Sequence, residues 1–142
     1  LPSDAVVAME LKPGTASRIV GLDDIGENEM ILDVGPATVA DVEERLVACA
    51  TLVWNGPLGA FEVPPFDAAT NRVAQVAARL TREGKLITVA GGGDTMAALS
   101  HACVNGDFSY VSAAGGAFLE WLEGRTLPGI AVLKKNGMGS KK

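Results

Sequence analysis

Three consecutive glycines followed by a carboxylate and a hydroxyl, Gly91-Gly92-Gly93-Asp94-Thr95, are the sharpest chemical signal in this chain of 142 residues. Without a Cβ, backbone N–H groups come close to an anion, and a helix that starts there adds the partial positive charge of its N-terminus. The segment therefore predicts a phosphate cradle. Asp94 has two physical explanations. As a helix N-cap it contributes about 0.5–2 kcal/mol. As a ligand to Mg²⁺, directly or through water, it helps hold the ion that bridges nucleotide phosphates, since magnesium combines one or two carboxylates with phosphate oxygens. The pattern is neither GxGxxG nor GxxxxGK[ST], so neither the dinucleotide fingerprint nor the Walker loop is present.

Such a loop needs a strand before it and a helix after it. Leu86-Ile87-Thr88-Val89-Ala90 is apolar and β-rich, which predicts a central parallel strand buried on both faces. The same unit is read elsewhere. Ala5-Val6-Val7-Ala8 is of strand length, and residues 12–26 read as a loop. Met30-Ile31-Leu32 is a strand stopped by Gly35-Pro36, with Thr38 placed to cap a helix bearing Val39, Val42, Leu46 and Val47. Thr51-Leu52-Val53-Trp54 is a strand and residues 55–65 a long loop. A helix over 66–83 follows, with Val73, Val76, Ala77 and Leu80 on one face and Gly84 at its end. Residues 108–112 give a last strand, Gly115-Gly116 a turn, and a short helix runs to Trp121. Alternating strands and helices predict an α/β fold, a parallel Rossmann-like sheet flanked by helices. In such sheets ligands bind at the carboxyl ends of the strands, here the loops after Leu32, Trp54, Ala90 and Val111.

Composition narrows the partners. With 48% hydrophobic residues the chain can bury one core, and a formal net charge of -5 excludes the basic stripe that nucleic-acid binding requires. Cys49 and Cys103 lie far apart in apolar, helix-like surroundings without a companion histidine, and read as buried thiols of a cytoplasmic protein. Neither a membrane span nor a signal peptide is visible, and Leu1-Pro2 without an initiator methionine suggests a piece of something longer. Residues 134–142 read as a polar, lysine-rich, disordered tail behind a domain over 1–133.

Read together, the loops become specific. Trp54-Asn55-Gly56-Pro57-Leu58-Gly59-Ala60-Phe61-Glu62 is similar to the WNGPxGxFE signature of phosphoglycerate kinases, and GGGDT at 91–95 matches their phosphate loop. Leu32-Asp33-Val34-Gly35-Pro36 resembles their LDxGP turn. Residues 112–120, with Leu127-Pro128-Gly129 after them, resemble the C-terminal signature. The resemblance implies the C-terminal, nucleotide-binding portion of a two-domain kinase fold. It implies Mg²⁺-assisted phosphoryl transfer between 1,3-bisphosphoglycerate and ADP, giving 3-phosphoglycerate and ATP, in a cytoplasmic glycolytic enzyme whose parent is monomeric. It assigns Leu32 to the adenine pocket, Asn55 to the nucleotide's phosphate region and Glu62 to the ribose. It gives Gly91, Gly92, Gly93 and Thr95 to the phosphates and Asp94 to the metal, and sets Ser112, Gly115 and Gly116 by the transferred phosphoryl as backbone donors. Ala113-Ala114 stands where the family carries Thr-Gly, and Ile31 where many members have glycine. The family's basic residues that grip phosphoglycerate lie upstream of Leu1, so the chain alone is expected to be inactive.

Two other readings compete. One is a non-catalytic fragment that binds nucleotide weakly or not at all. The other, a nicotinamide-dependent dehydrogenase, is disfavoured by the missing fingerprint. His101 reads as structural, Trp54 as a core anchor, and the terminal lysines as solvated charge.

Overall fold

The structure is a computed structural model that describes residues 1–127 and 131–132. Its first half is an antiparallel sheet of β1 (Asp4–Ala8), β2 (Ser17–Gly21) and β3 (Met30–Val34) in the order β2-β1-β3. This corrects two expectations. The loop over 12–26 contains a strand, and these strands do not join the parallel sheet. Only Val20 of β2 is buried, so no alternation of burial announces it; pairing with β1 creates it. The link from β1 to β2 is also too short for a parallel crossover, which needs a dozen or more residues, so the pair must turn back on itself.

The second half is the parallel part of the expected fold. β4 (Thr51–Asn55), β5 (Ile87–Gly91) and β6 (Tyr110–Ser112) pair side by side in that order. Among the described residues the two sheets are accompanied by the helices α1 (Pro36–Ala48), α2 (Ala68–Arg82), α3 (Gly93–His101) and α4 (Gly115–Leu122). α2 starts later than the sequence suggests, with Phe66 fully buried in the loop before it, and it turns Val73, Val76, Ala77 and Leu80 inward as expected. These residues pack with Leu46, Trp54, Ala90, Leu99 and Phe108 into the main core, joined by Leu52 and Val111. β5 is not covered on both faces. Thr88 and Ala90 are fully buried, while Ile87 on the opposite face is 57% exposed and Val53, on the same face of β4 and paired with Val89, is 49% exposed. α1, α2 and α3 all contribute to the core on the first of these faces.

Both long helices are capped from a distance. Gly35 holds the N-cap position of α1 and makes no side-chain bond; the Asp4 carboxylate accepts from the N–H groups of Ala37 (2.9 Å) and Thr38 (2.8 Å). Thr38 is thus inside the helix rather than capping it, and its hydroxyl donates to Asp4 (2.7 Å). Asp33 does the same for α2, accepting from Ala69 N–H (3.0 Å) as well as from Val34 N–H (2.9 Å). Both cysteines are exposed, contrary to the expectation of buried thiols. They sit in the turns that end helices, Cys49 as the C-cap of α1 and Cys103 at φ 58° just past α3, and such turns face solvent. No helix among the described residues is long and apolar enough to cross a membrane. The expected tail at 134–142, with Pro128 and Gly129, lies outside the described residues.

Candidate nucleotide-phosphate site

The GGGDT segment folds as a strand-to-helix turn. Gly91 closes β5, Gly92 takes φ 106° and ψ 149°, and α3 begins at Gly93. A φ in that range strains any residue with a Cβ, so glycine is required at 92. Gly92 is the N-cap of α3 and no side chain caps this helix, so the cap explanation for Asp94 falls away. Asp94 is exposed at the second helical position. The first helical bond runs from Met96 N–H to Gly92 O (3.0 Å). The N–H groups of Gly93, Asp94 and Thr95 therefore have no intrahelical acceptor and carry the positive end of the helix dipole.

A second helix start meets the first. Gly92 N–H donates to Ser112 O (3.0 Å) at the end of β6, and a Cβ built on Gly115 would stand 2.9 Å from Gly92 Cα. Two helix N-termini touch backbone to backbone there, which a side chain on Gly115 would prevent. Asn55, the last residue of β4 and the partner of Gly91, brings its Oδ1 to within 3.5 Å of the space a Cβ on Gly92 would fill. Thr95 is 1% exposed; its hydroxyl donates to Gly91 O (2.7 Å) and accepts from Gly56 N–H (2.7 Å).

The family model for phosphoglycerate kinase matches residues 1–125. This chain belongs to the phosphoglycerate kinase family. It is 62% identical over 135 residues to the phosphoglycerate kinase of Xanthobacter autotrophicus, covering 95% of this chain and 34% of that protein. It is 60% identical over 134 residues to that of Zymomonas mobilis, with 94% and 34% covered. The solved phosphoglycerate kinase of Coxiella burnetii superimposes with a TM-score of 0.84 at 44% identity, over 94% of this chain and 33% of that one. That of Pyrococcus horikoshii does so with 0.75 at 26%, over 94% and 32%. The chain therefore spans about a third of the length of its phosphoglycerate kinase relatives.

Of the residues that the phosphoglycerate kinase signatures single out, the structure gathers Asn55, Gly91, Gly92, Thr95, Ser112 and Gly115 around one point. Gly93 and Asp94 follow at the open start of α3, and Gly116 is exposed at the second position of α4. Leu32 and Glu62 stand apart from this group. Leu32 is buried against Ala8 and Phe66, Glu62 is exposed, and the loop between them is anchored by Ala60 N–H on Leu32 O (2.8 Å). One loop thus ties both ends together, held at Gly56 by Thr95 and at Ala60 by β3. Ile31 is 58% exposed and faces away from Leu32. Ser112 Oγ accepts from Ala114 N–H (3.2 Å), so that donor is engaged locally.

Asp33 was not singled out by sequence. Burial pushes its carboxyl above the ordinary range, against the two N–H groups that favour the charge. A Cβ on Gly59 would stand 2.3 Å from its Oδ1, so the WNGP loop closes over this carboxylate only because position 59 is glycine. A carboxylate inside the apolar run from Met30 to Val34 was the available signal. His101 Nε2 meets Asp67 Oδ2 at 3.0 Å, and Trp54 is buried with its Nε1–H donating to Gly56 O. Trp54 is a core anchor, as expected. A concavity of about 670 Å³ between β2, β3, α1 and α2 is lined by none of the glycine-loop residues.

Proposed function

We propose that this chain is the nucleotide-binding part of a phosphoglycerate kinase. Its parent transfers phosphate reversibly between 1,3-bisphosphoglycerate and ADP to give 3-phosphoglycerate and ATP, in glycolysis, in the cytoplasm and as a monomer. The observation that carries this reading is the meeting of the α3 and α4 starts at Gly92 and Gly115, with Asn55 beside them. Free N–H groups at two helix starts suit a polyphosphate, and their charge is in place before the ligand arrives. In this reading the N–H groups of Gly93, Asp94 and Thr95 face the nucleotide phosphates, Gly91 and Gly92 form the side-chain-free turn that lets the phosphates approach, and Asn55 adds its amide. Ser112, Gly115 and Gly116 border the transferred phosphoryl. Leu32 lines the adenine side and Glu62 holds the ribose.

Among the described residues no three His, Cys, Asp or Glu side chains converge on a metal position. Asp94, exposed at the second position of α3, fits an ion that arrives with the phosphates. Magnesium takes one or two carboxylates and completes its octahedron with phosphate oxygens and water. Bound there, it would neutralise charge on the phosphates.

The same reading holds that residues 1–133 are a partial domain and that the chain alone transfers no phosphate. Phosphoryl transfer depends on holding both substrates in line with cations around the moving group. Every lysine and arginine among the described residues is already in an ion pair with a carboxylate, including Arg45 with Asp41 and Arg72 with Glu43. None remains free beside the glycine loops to grip phosphoglycerate. The test is calorimetry with MgADP and with NAD, run beside a coupled assay with ATP, Mg²⁺ and 3-phosphoglycerate. Binding of MgADP alone, without turnover, is expected. Turnover within about a hundredfold of the ordinary kinase range of 1–100 s⁻¹ would overturn the inactive-fragment reading, and no response to MgADP would favour a non-catalytic module.

A further inference from the structure

The hydroxyl of Thr95 is placed unlike a ligand. It is buried, its proton is donated to Gly91 O at 2.7 Å, and one of its lone pairs is taken by Gly56 N–H at 2.7 Å. A hydroxyl has one proton to give, so none is left for a phosphate oxygen. What it joins is informative. The β4–β5 ladder ends at the pair Asn55 and Gly91, and Gly56 then turns away at φ 90°. Thr95 carries the connection one residue past the last ladder pair, from the exit of β5 to the exit of β4.

We infer that Thr95 is a positioning residue: its side chain locks the loop that begins at Asn55 onto the glycine turn at 91–93, so that Asn55 and the free N–H groups of α3 face one anion together. The inference rests on the nucleotide reading of this site and adds the device that assembles it. Two further contacts on the same loop support the assignment. Trp54 Nε1–H donates to Gly56 O, and Leu58 N–H donates to Thr70 Oγ1 (3.0 Å). Gly56 is therefore held on both of its polar backbone groups, its carbonyl by a core tryptophan and its N–H by Thr95. Removing the Thr95 hydroxyl leaves the Gly56 N–H and the Gly91 carbonyl to find water, and frees the loop at its root rather than at its tip.

Two measurements separate this from its rivals. Amide hydrogen exchange on the chain without nucleotide is expected to show Gly56 N–H protected in the wild type and in Thr95→Ser. In Thr95→Val, which keeps the shape and loses the hydroxyl, that amide should exchange at least tenfold faster. Calorimetry with MgADP is expected to give roughly tenfold weaker binding for Thr95→Val, as loss of a buried hydrogen bond implies, and Thr95→Ser within about threefold of wild type. Weaker binding with unchanged Gly56 exchange would make Thr95 a direct ligand and overturn the inference. So would a Thr95→Val protein that binds as the wild type does. If the wild type itself ignores MgADP, the nucleotide reading fails and takes this inference with it, a result distinct from the other two. Should Thr95→Val not fold, an unprotected Gly56 amide in the unliganded wild type would still sink the proposal.

Discussion

Asp94 stands one residue inside α3 with its side chain in solvent and the cap position already filled by Gly92. Replacing it by asparagine removes charge and little else. Asp94→Asn is expected to change unfolding free energy by no more than about 1 kcal/mol, the scale of a charge at a helix start. MgADP affinity should fall by roughly tenfold or more, as loss of a charged magnesium ligand implies. Unaltered affinity in calorimetry would end its metal role. Asp4 offers a pH test. Burial pushes its carboxyl up, but the hydrogen bonds from the Thr38 hydroxyl and the Ala37 and Thr38 N–H groups outweigh that and hold it below its ordinary 3.8. Because the folded value is the lower one, the contribution is whole above pH 3.8 and is lost as pH falls through the folded value. The urea midpoint of Asp4→Asn should therefore lie below that of the wild type at pH 7, with the gap closing in acid; a gap constant with pH would contradict the linkage. These roles differ in how legible they were. The place of Asp94 at an open helix start was visible because the pattern that sets it lies in five adjacent residues. Asp4 and Asp33 were not, because the helices they cap begin more than thirty residues away.

At the scale of elements, the contact between the α3 and α4 starts makes a sharp prediction. Gly115→Ala would drive a Cβ to 2.9 Å from backbone that has no side chain to move aside. The two helix starts must part, and MgADP binding should weaken while the main core, which does not include Gly115, stays intact. Calorimetry and urea unfolding would separate these effects; full affinity in Gly115→Ala would show that the junction does not serve the ligand. Gly59→Ala is a different case, since its Cβ would meet the Asp33 carboxylate at 2.3 Å and Phe66 O at 2.7 Å. Overpacking of this kind destabilises by about 1–3 kcal/mol, measurable by urea unfolding, and unchanged stability would mean that the loop can lift off Asp33 freely. The helices and parallel strands were legible because apolar spacing records which side is buried. β2 was not, because its order comes from backbone pairing with β1. The covered face of β5 was also misjudged, since Ile87 and Val89 look as apolar as Thr88 and Ala90 whether or not anything packs on them.

For the whole molecule, that open face is the main liability. Val53 and Ile87 lie on the same face of the parallel sheet, diagonally across the β4–β5 pair, and are about half exposed, whereas parallel sheets normally have both faces covered. The chain as it stands is expected to self-associate with rising concentration in sedimentation velocity, and the double variant Val53→Lys, Ile87→Lys to remain monomeric. Concentration-independent sedimentation of the wild type would show that the face is too small to drive pairing. The meeting of two helix starts at Gly92 and Gly115 also bears on how such a molecule yields to mutagenesis. On the proposed nucleotide reading the anion donors are amides of the main chain, and alanine replacement leaves every one of those amides in place. An alanine scan would register the side chains of Asn55, Asp94 and Thr95 and pass silently over the main-chain donors beside them. Exchanging single amides for esters at 93, 94 and 95, which deletes one N–H at a time and no side chain, is the substitution to which this part of the molecule would answer.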